Sequence, residues 1–290
     1  MNRRAFLKSA GTFGLAASVG GGGIAYGRKS ATRAERALNS SRSGAGLALG
    51  RADALGSFRT VYSVDTGQRL VALTFDDGPD PRFTPRILDI LGERSIAATF
   101  FMMGHNVETH PLVLDEVVAA GHEAANHTRN HLDLSRLDPT ETRTEIRSAH
   151  RIISSATEQT VRYFRPPRGR MNGAALKVIA ELDYDLIMWS VTGAIRGRTT
   201  APAVRDFVAG ALAPGAIIGL HDGIGRGTFQ PDSRFARDLA ERRNAEIDAL
   251  AEVCDRGIDA GYRFVTVSEL LSSETPDATP TESELPTSPD

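Results

Sequence analysis

The feature that most constrains the fold is a regular alternation of strand-like and helix-like segments along the 290-residue chain. Seven short apolar runs predict buried strands, at 69–75, 96–103, 122–126, 161–165, 184–191, 215–221 and 262–267. Helical patterns separate them, at 83–93, 109–120, 139–156, 172–182, 201–212 and 233–260. This alternation is typical of parallel strands joined by crossover helices, and about seven repeats fit a barrel better than an open sheet. The sequence therefore predicts an α/β barrel with outer helices.

The segments outside this pattern differ in composition. Residues 28–59 are rich in Arg, Ser, Ala and Gly without clear periodicity, which indicates a flexible linker. Residues 272–290 carry four prolines among Ser, Thr and five acidic residues, too little apolar surface to order the segment. We therefore expect residues 60–271 to form the working domain.

The first 27 residues are predicted to be a targeting segment. Residues 2–8 read Asn-Arg-Arg-Ala-Phe-Leu-Lys, which resembles the twin-arginine export motif, and a Gly- and Ala-rich run continues to about Tyr26. Gly20 to Gly23 make that run a poor membrane-spanning helix. Cleavage and retention as an anchor both stay open. We expect export to the cell envelope or the extracellular space, with membrane contact only through this segment if it is uncleaved.

Charge and cysteine content exclude several kinds of partner. The net charge of −2 gives no case for nucleic-acid binding, and the basic excess belongs to residues 1–59, with ten Lys or Arg against two acids. Cys254 is the single cysteine, so an internal disulfide is impossible and thiolate zinc ligation is implausible. We expect the protein to act as a monomer.

Two adjacent carboxylates, Asp76 and Asp77, follow the first predicted strand, and Gly78-Pro79 behind them indicates a turn. Neighbouring like charges repel unless a cation or a proton shares them. A metal bound by one Asp, with the other free as a base, resolves this conflict. The alternative is a solvated turn, because Asp and Gly are ordinary turn residues.

A histidine pair about fifty residues downstream favours the metal interpretation. His127 and His131 are four residues apart, so both imidazoles can face one way if the segment turns helically. By itself, a histidine pair at this spacing is more often a solvent-exposed pair that binds no metal. Two His and one carboxylate leave positions on a metal for water and substrate, which is typical of catalytic rather than structural sites.

The remaining polar candidates also follow predicted strands. Arg165 closes the fourth strand, Trp189 lies near the end of the fifth, and His221 closes the sixth. In such barrels the chemistry lies at the carboxyl ends of the strands. The sequence therefore predicts that these residues meet Asp76 and His127 on one rim.

Four segments resemble motifs of the NodB-homology polysaccharide deacetylase family, also called carbohydrate esterase family 4. Residues 74–79 (Thr-Phe-Asp-Asp-Gly-Pro) match its first motif and residues 127–131 (His-Thr-Arg-Asn-His) its second. Residues 164–169 (Phe-Arg-Pro-Pro-Arg-Gly) resemble the third, and residues 220–222 (Leu-His-Asp) the fifth. The resemblance implies that residues 60–271 form a deacetylase domain with a distorted (β/α)7-type barrel of parallel strands.

The resemblance also implies roles for single residues. Asp77, His127 and His131 would hold a divalent cation, most often zinc in the family. Asp76 would be the general base, and His221 the general acid for the departing amine.

Further roles concern substrate contacts. Arg165 would be the charged neighbour of the base, and Trp189 and Leu220 would line the pocket for the acetyl methyl group. Arg168 replaces the usual Tyr of the third motif, whose backbone N–H is an oxyanion donor, and this change affects substrate contacts more than chemistry, because a backbone donor survives a side-chain change.

One departure from the family pattern follows Trp189. Residues 190–196 read Ser-Val-Thr-Gly-Ala-Ile-Arg, so the acidic residue expected to pair with Arg165 is absent, as is an outer Trp. Arg165 then relies on Asp76 alone or on another carboxylate such as Asp222. We expect metal binding to be retained and substrate use to be narrowed or unusual.

The sequence thus predicts an exported, metal-dependent hydrolase that removes N-acetyl groups from a cell-envelope or extracellular polysaccharide. N-acetylglucosamine polymers such as peptidoglycan or chitin come first, and O-acetylated xylan second. Two alternatives stay open: a catalytically idle carbohydrate-binding relative, and a non-haem iron oxygenase using two His and one carboxylate. The joint presence of Asp76 and His221 weighs against both.

Overall fold

The computed structural model describes residues 58–193 and 199–275. The predicted targeting segment (1–27), nearly all of the predicted linker (28–59) and residues 276–290 of the predicted tail lie outside the described residues. Within the described ranges, no helix is both long enough and apolar enough to cross a bilayer.

The described residues build one sheet of nine short strands. They are β1 (Thr60–Val61), β2 (Leu70–Asp76), β3 (Thr99–Met102), β4 (Glu123–Asn126), β5 (Tyr163–Phe164), β6 (Asp185–Ile187), β7 (Val191–Thr192), β8 (Ile217–His221) and β9 (Arg263–Val265). Their order is β1-β6-β5-β4-β3-β2-β8-β7, and β9 pairs with the start of β2. Every pairing between these strands is parallel. The predicted α/β fold with parallel strands is confirmed: six of the strands lie within predicted runs, and β2 extends one residue beyond the run at 69–75.

Helices connect the strands. They are α1 (Thr84–Gly92), α2 (Gly104–Thr109), α3 (Pro111–Ala119), α4 (Pro139–Thr157), α5 (Gly173–Glu181), α6 (Ala201–Gly210), α7 (Arg234–Asp259) and α8 (Val267–Ser272). The helix predicted at 109–120 is α3, and a further short helix, α2, precedes it. His110, the residue before Pro111, has φ −127° and ψ 55°, because a proline disfavours the helical conformation of the residue before it.

Alternating side chains of β2 enter two different hydrophobic clusters. A large cluster, shared with residues of the helices, takes every second residue of the strand: Val71, Leu73 and Phe75. A smaller cluster contains Leu70 and Ala72 together with Phe101 of β3. Because strand side chains alternate between faces, Thr74 and Asp76 share the face of the smaller cluster. The first predicted site residue therefore lies where that face reaches the carboxyl end of the sheet.

Candidate active site and metal centre

The two carboxylates at the end of β2 have different partners. Asp76 and Asp77 are 6% and 3% exposed, and Asp77 has a left-handed backbone with φ 82°. Asp76 Oδ1 accepts a hydrogen bond from Arg165 Nη1 at 2.6 Å. Asp77 Oδ1 instead lies 3.1 Å from Nε2 of His131. The two adjacent carboxylates thus have separate partners, which reduces the repulsion expected between neighbouring like charges.

The turn behind Asp77 is fixed by a third buried carboxylate. Asp222 accepts hydrogen bonds from Gly78 N at 2.9 Å and from Thr84 Oγ1 at 2.8 Å. A Cβ at residue 78 would lie 1.9 Å from Asp222 Oδ2, so this position requires glycine. Burial and the nearby charge of Asp77 raise the pKa of Asp222 to about 8. Asp222 therefore supports the turn.

A loop rather than a helical turn brings the histidines together. Residues 127–131 are not helical, and Thr128 and His131 have φ values of 68° and 53°. Asn126 Oδ1 accepts from Thr128 N at 2.8 Å, and Thr128 Oγ1 accepts from His131 N at 3.1 Å. The ring centroids of His127 and His131 are consequently 5.2 Å apart.

Asp77, His127 and His131 form a group that could hold a metal ion. One ligand atom from each residue lies within 4.8 Å of the others, and all three residues are buried. His127 Nε2 is 3.6 Å from Asp77 Oδ1, and that oxygen accepts no hydrogen bond. His127 Nδ1 lies 2.8 Å from the carbonyl oxygen of Arg165, a contact that leaves Nε2 free as a ligand. The donor set and the orphaned oxygen fit a divalent cation.

The protonation of this group also suits a cation. Burial lowers the pKa of His127 to about 4, so the imidazole is neutral and its lone pair available near neutral pH. Burial alone would raise the pKa of Asp77, but His131 and Arg243 beside it hold that pKa well below its usual range. Arg243 Nη2 lies 3.2 Å from Asp77 Oδ2.

Arg165 is fully buried beside the second carboxylate. Its Nη1 also donates to Thr74 Oγ1 at 2.9 Å, and backbone carbonyls of β6 and the residue after it accept from Nε and Nη2. Within the described residues, Asp76 is the one carboxylate that pairs with Arg165, and Asp222 does not reach it. Arg165 therefore relies on Asp76 alone, the first of the two alternatives left open by the sequence.

His221, at the end of β8, is held by a residue that the sequence did not single out. Its Nδ1 lies 3.1 Å from Oε2 of Glu246, a buried residue of α7. Arg243 and Glu246 are three residues apart in the segment 233–260, which the sequence predicted only as an outer helix. That spacing places the two side chains on one helix face. Exposed Arg–Glu pairs have the same spacing, so the spacing alone does not predict a buried pair.

A cavity of about 330 Å³ brings most of the predicted residues together. Its lining includes Asp76, Asp77, His127, His131, Arg168, Trp189 and His221. Arg165 lies behind Asp76 and does not line it. Leu220 belongs to the hydrophobic core at 1% exposure, and its neighbours Gly219 and His221 line the cavity instead.

The parallel α/β sheet brings carboxylate and imidazole groups into one cavity, and three of them could hold a metal ion, an arrangement typical of metal-dependent hydrolases. The profile of the polysaccharide deacetylase family matches residues 63–187. The chain is 33% identical over 212 residues to a peptidoglycan-N-acetylglucosamine deacetylase of Bacillus cereus, covering 72% of this chain and 92% of the relative. It is 36% identical over 209 residues to a chitooligosaccharide deacetylase of Sinorhizobium fredii, covering 72% and 94%. The chain therefore belongs to the polysaccharide deacetylase family.

Solved structures share the fold. A carbohydrate esterase family 4 pseudoenzyme from Bacillus anthracis superposes with a TM-score of 0.64 at 26% identity, over 75% of this chain and 70% of that one. A peptidoglycan N-acetylglucosamine deacetylase gives the same TM-score at 28% identity, over 75% and 96%. These matches confirm the predicted (β/α)7-type barrel. Membership of the deacetylase class makes the protein a hydrolase.

Proposed function

We propose that this protein removes N-acetyl groups from an N-acetylglucosamine polysaccharide of the cell envelope, peptidoglycan or a chitin-like polymer. The deacetylase class is common to the relatives, and two of them are named for these substrates. The observation that carries the proposal is the meeting of a metal-ligand group with Asp76 and His221 in one cavity.

Asp77, His127 and His131 would hold the cation, and we infer zinc, because imidazole and carboxylate ligands suit that ion. Such a cation supplies a Lewis acid that polarises a carbonyl and lowers the pKa of water. The neutral imidazole of His127 keeps its orientation through the carbonyl oxygen of Arg165.

Asp76 acts as the general base in this proposal. Arg165 donates to Oδ1 and leaves Oδ2 to take a proton from the attacking water. The backbone N–H of Arg168, at the cavity wall, serves as a donor to the developing oxyanion.

His221 returns a proton to the departing amine. Its Nδ1 faces Glu246, so Nε2 is the nitrogen left for the substrate. Trp189 lines the cavity and offers apolar surface for the acetyl methyl group.

An idle, carbohydrate-binding role is the rival to be tested, since one structural neighbour is a pseudoenzyme. In this chain the base, the acid and the three metal ligands all lie together, which favours activity. An oxygenase would need neither Asp76 nor His221, so the presence of both side chains favours the hydrolase over this rival.

Acetate release from acetylated glycans tests the proposal. We expect release from N-acetylglucosamine oligomers or peptidoglycan, loss on chelation and recovery with zinc. Release from O-acetylated xylan alone would reassign the substrate. Glycan binding without release would indicate an idle relative, and iron-dependent oxygen consumption would indicate an oxygenase.

We also propose that the protein is exported and works outside the cytoplasm as a monomer. The paired arginines at positions 3 and 4 support the export part of this proposal. Replacing both with Lys should retain the protein in the cytoplasm of the producing cell, as measured by fractionation. Unchanged export of that variant would refute a twin-arginine signal.

A further inference from the structure

Helix α7 places an ion pair beneath the cavity. Arg243 and Glu246 are 5% and 3% exposed, and Arg243 Nη1 lies 3.4 Å from Glu246 Oε1. The other oxygen of Glu246, Oε2, lies 3.1 Å from Nδ1 of His221. Within the described residues, Glu246 is the one carboxylate that pairs with His221. The carboxylate that pairs with His221 therefore comes from α7, and not from a residue close to His221 in the sequence.

Gly193 packs against Leu220 and borders Glu246. A Cβ at Gly193, just after β7, would lie 2.7 Å from Leu220 Cδ2 and 3.4 Å from Glu246 Cγ. Residues 190–196, which follow Trp189, contain no acidic residue. The sequence after Trp189 thus supplies no carboxylate, and the one that pairs with His221 comes from α7.

Arg243 makes the burial of Glu246 tolerable and fixes its direction. A buried carboxylate without a partner is strongly destabilising. Arg243 donates from Nε to the Gly223 carbonyl at 2.7 Å and lies 3.2 Å from Asp77 Oδ2 through Nη2. With the guanidinium anchored at these points, Glu246 Oε2 is directed toward His221.

We propose that Glu246 is a positioning residue for His221, held in place by Arg243. By accepting a hydrogen bond from Nδ1–H, Glu246 fixes the tautomer and ring orientation that direct Nε2 toward the cavity. This inference rests on the proposed deacetylase function.

The step that Glu246 serves is protonation of the leaving amine. The C–N bond breaks and its electron pair stays on nitrogen, which takes the proton from Nε2 of His221. Water supplies the hydroxyl group of the acetate, and its proton goes to Asp76. The imidazole ends neutral, with Nδ1–H still donated to Glu246.

Nitrogen NMR of the full chain tests the positioning without requiring any activity. With the imidazole neutral, we expect His221 to hold its proton on Nδ1 in the wild type and in Glu252→Gln. Glu252 lies on the same helix but is exposed and pairs with Arg205, so that variant is the matched control. Glu246→Ala should lose the preference for Nδ1–H. An unchanged tautomer in Glu246→Ala would overturn the proposal.

Kinetics separate positioning from support of the fold. Aryl oxide leaves without a proton, so p-nitrophenyl acetate does not need the general acid. Glu246→Ala should lower kcat for an N-acetylglucosamine oligomer by about 10- to 100-fold, with aryl acetate hydrolysis and zinc content unchanged. Glu246→Gln, which keeps an acceptor oxygen, should recover part of the loss and serves if the Ala variant does not fold.

Three outcomes decide the inference. Equal loss on both substrates, or loss of zinc, would show a merely structural role and overturn it. Full oligomer activity in Glu246→Ala would overturn it as well, with the deacetylase function intact. A wild type that releases no acetate from any glycan would refute the proposed function, and the NMR result would still decide whether Glu246 positions His221.

Discussion

At the scale of single residues, the site depends on two neighbouring carboxylates that are stabilised in different ways. Asp76 is paired with the fully buried Arg165, whereas Asp77 faces His127 and His131 through an oxygen that accepts no hydrogen bond. The left-handed backbone at Asp77 accompanies this separation. In the proposed mechanism, metal binding and proton transfer therefore belong to different side chains, and a substitution can remove either one alone.

We expect Asp77→Ala to abolish zinc binding, measured as about one metal ion per wild-type chain. Asp76→Asn should keep zinc but lower acetate release by about 10²-fold or more, because positioned proton transfer contributes about 10²–10⁴-fold. Zinc bound normally by Asp77→Ala, or full activity in Asp76→Asn, would contradict the assignment.

Away from the site, His122 makes the free energy of unfolding depend on pH. Its Nδ1 accepts from Ala98 N at 3.2 Å, and burial lowers its pKa to about 4. The unfolded imidazole titrates near 6.5, so between these values the unfolded chain binds a proton that the folded chain excludes. The free energy of unfolding is therefore not reduced by His122 above about pH 6.5, and it falls as the pH decreases from there toward 4. His122→Asn should show a shallower loss in denaturant titrations over this range, and an unchanged slope would refute the effect.

At the scale of elements, helix α4 holds the loop of residues 127–131, which carries both histidines, through hydrogen bonds. Its Asp138 caps the helix start together with Glu141, and its Glu145 accepts from Asn130 N at 2.8 Å and Nδ2 at 2.6 Å. The carbonyl oxygen of Glu145 also accepts from Arg129 N. The loop conformation that brings the imidazoles together is thus imposed by packing against α4.

We expect Glu145→Ala to weaken zinc binding about 10-fold or more, because groups that orient metal ligands typically contribute 10- to 100-fold in affinity. Asp138→Ala is the matched control. It should cost about 1 kcal/mol of stability through loss of the cap while leaving zinc affinity unchanged. Calorimetric zinc titration and thermal unfolding distinguish the two, and equal zinc affinity in both variants would contradict the role of Glu145.

The same elements show where sequence reasoning succeeds and stops. Asp76, Asp77, His127 and His131 were singled out by the adjacent carboxylates, the histidine spacing and the family motifs, and they lie together because parallel strands align their carboxyl ends. Glu246 was missed because its contact with His221 depends on how α7 packs, which helix periodicity does not report. Strand β1, two residues long, lies outside the seven predicted runs, and the run at 184–191 divides into β6 and the start of β7.

At the scale of the whole molecule, the described barrel is held at its edge by residues near both ends of the described range. In β1, Val61 pairs with Ile187 of β6, and Val64, just after β1, is 4% exposed. Arg59 pairs with Asp185 and with Glu274, and Thr275 N donates to the carbonyl oxygen of Asp65. The contacts thus extend on both sides of the predicted domain, residues 60–271.

We expect a chain of residues 58–275 to unfold at the temperature of the full protein and to keep acetate release, because all nine described strands lie within it. A chain beginning at residue 67 removes β1 and the buried Val61 and Val64. Burial of each valine contributes about 1.5–3 kcal/mol, so this shorter chain should lose roughly 3 kcal/mol or more in urea titrations. Equal stability of the two chains would show that β1 is dispensable. A destabilised 58–275 chain would show that the outer segments contribute to the fold.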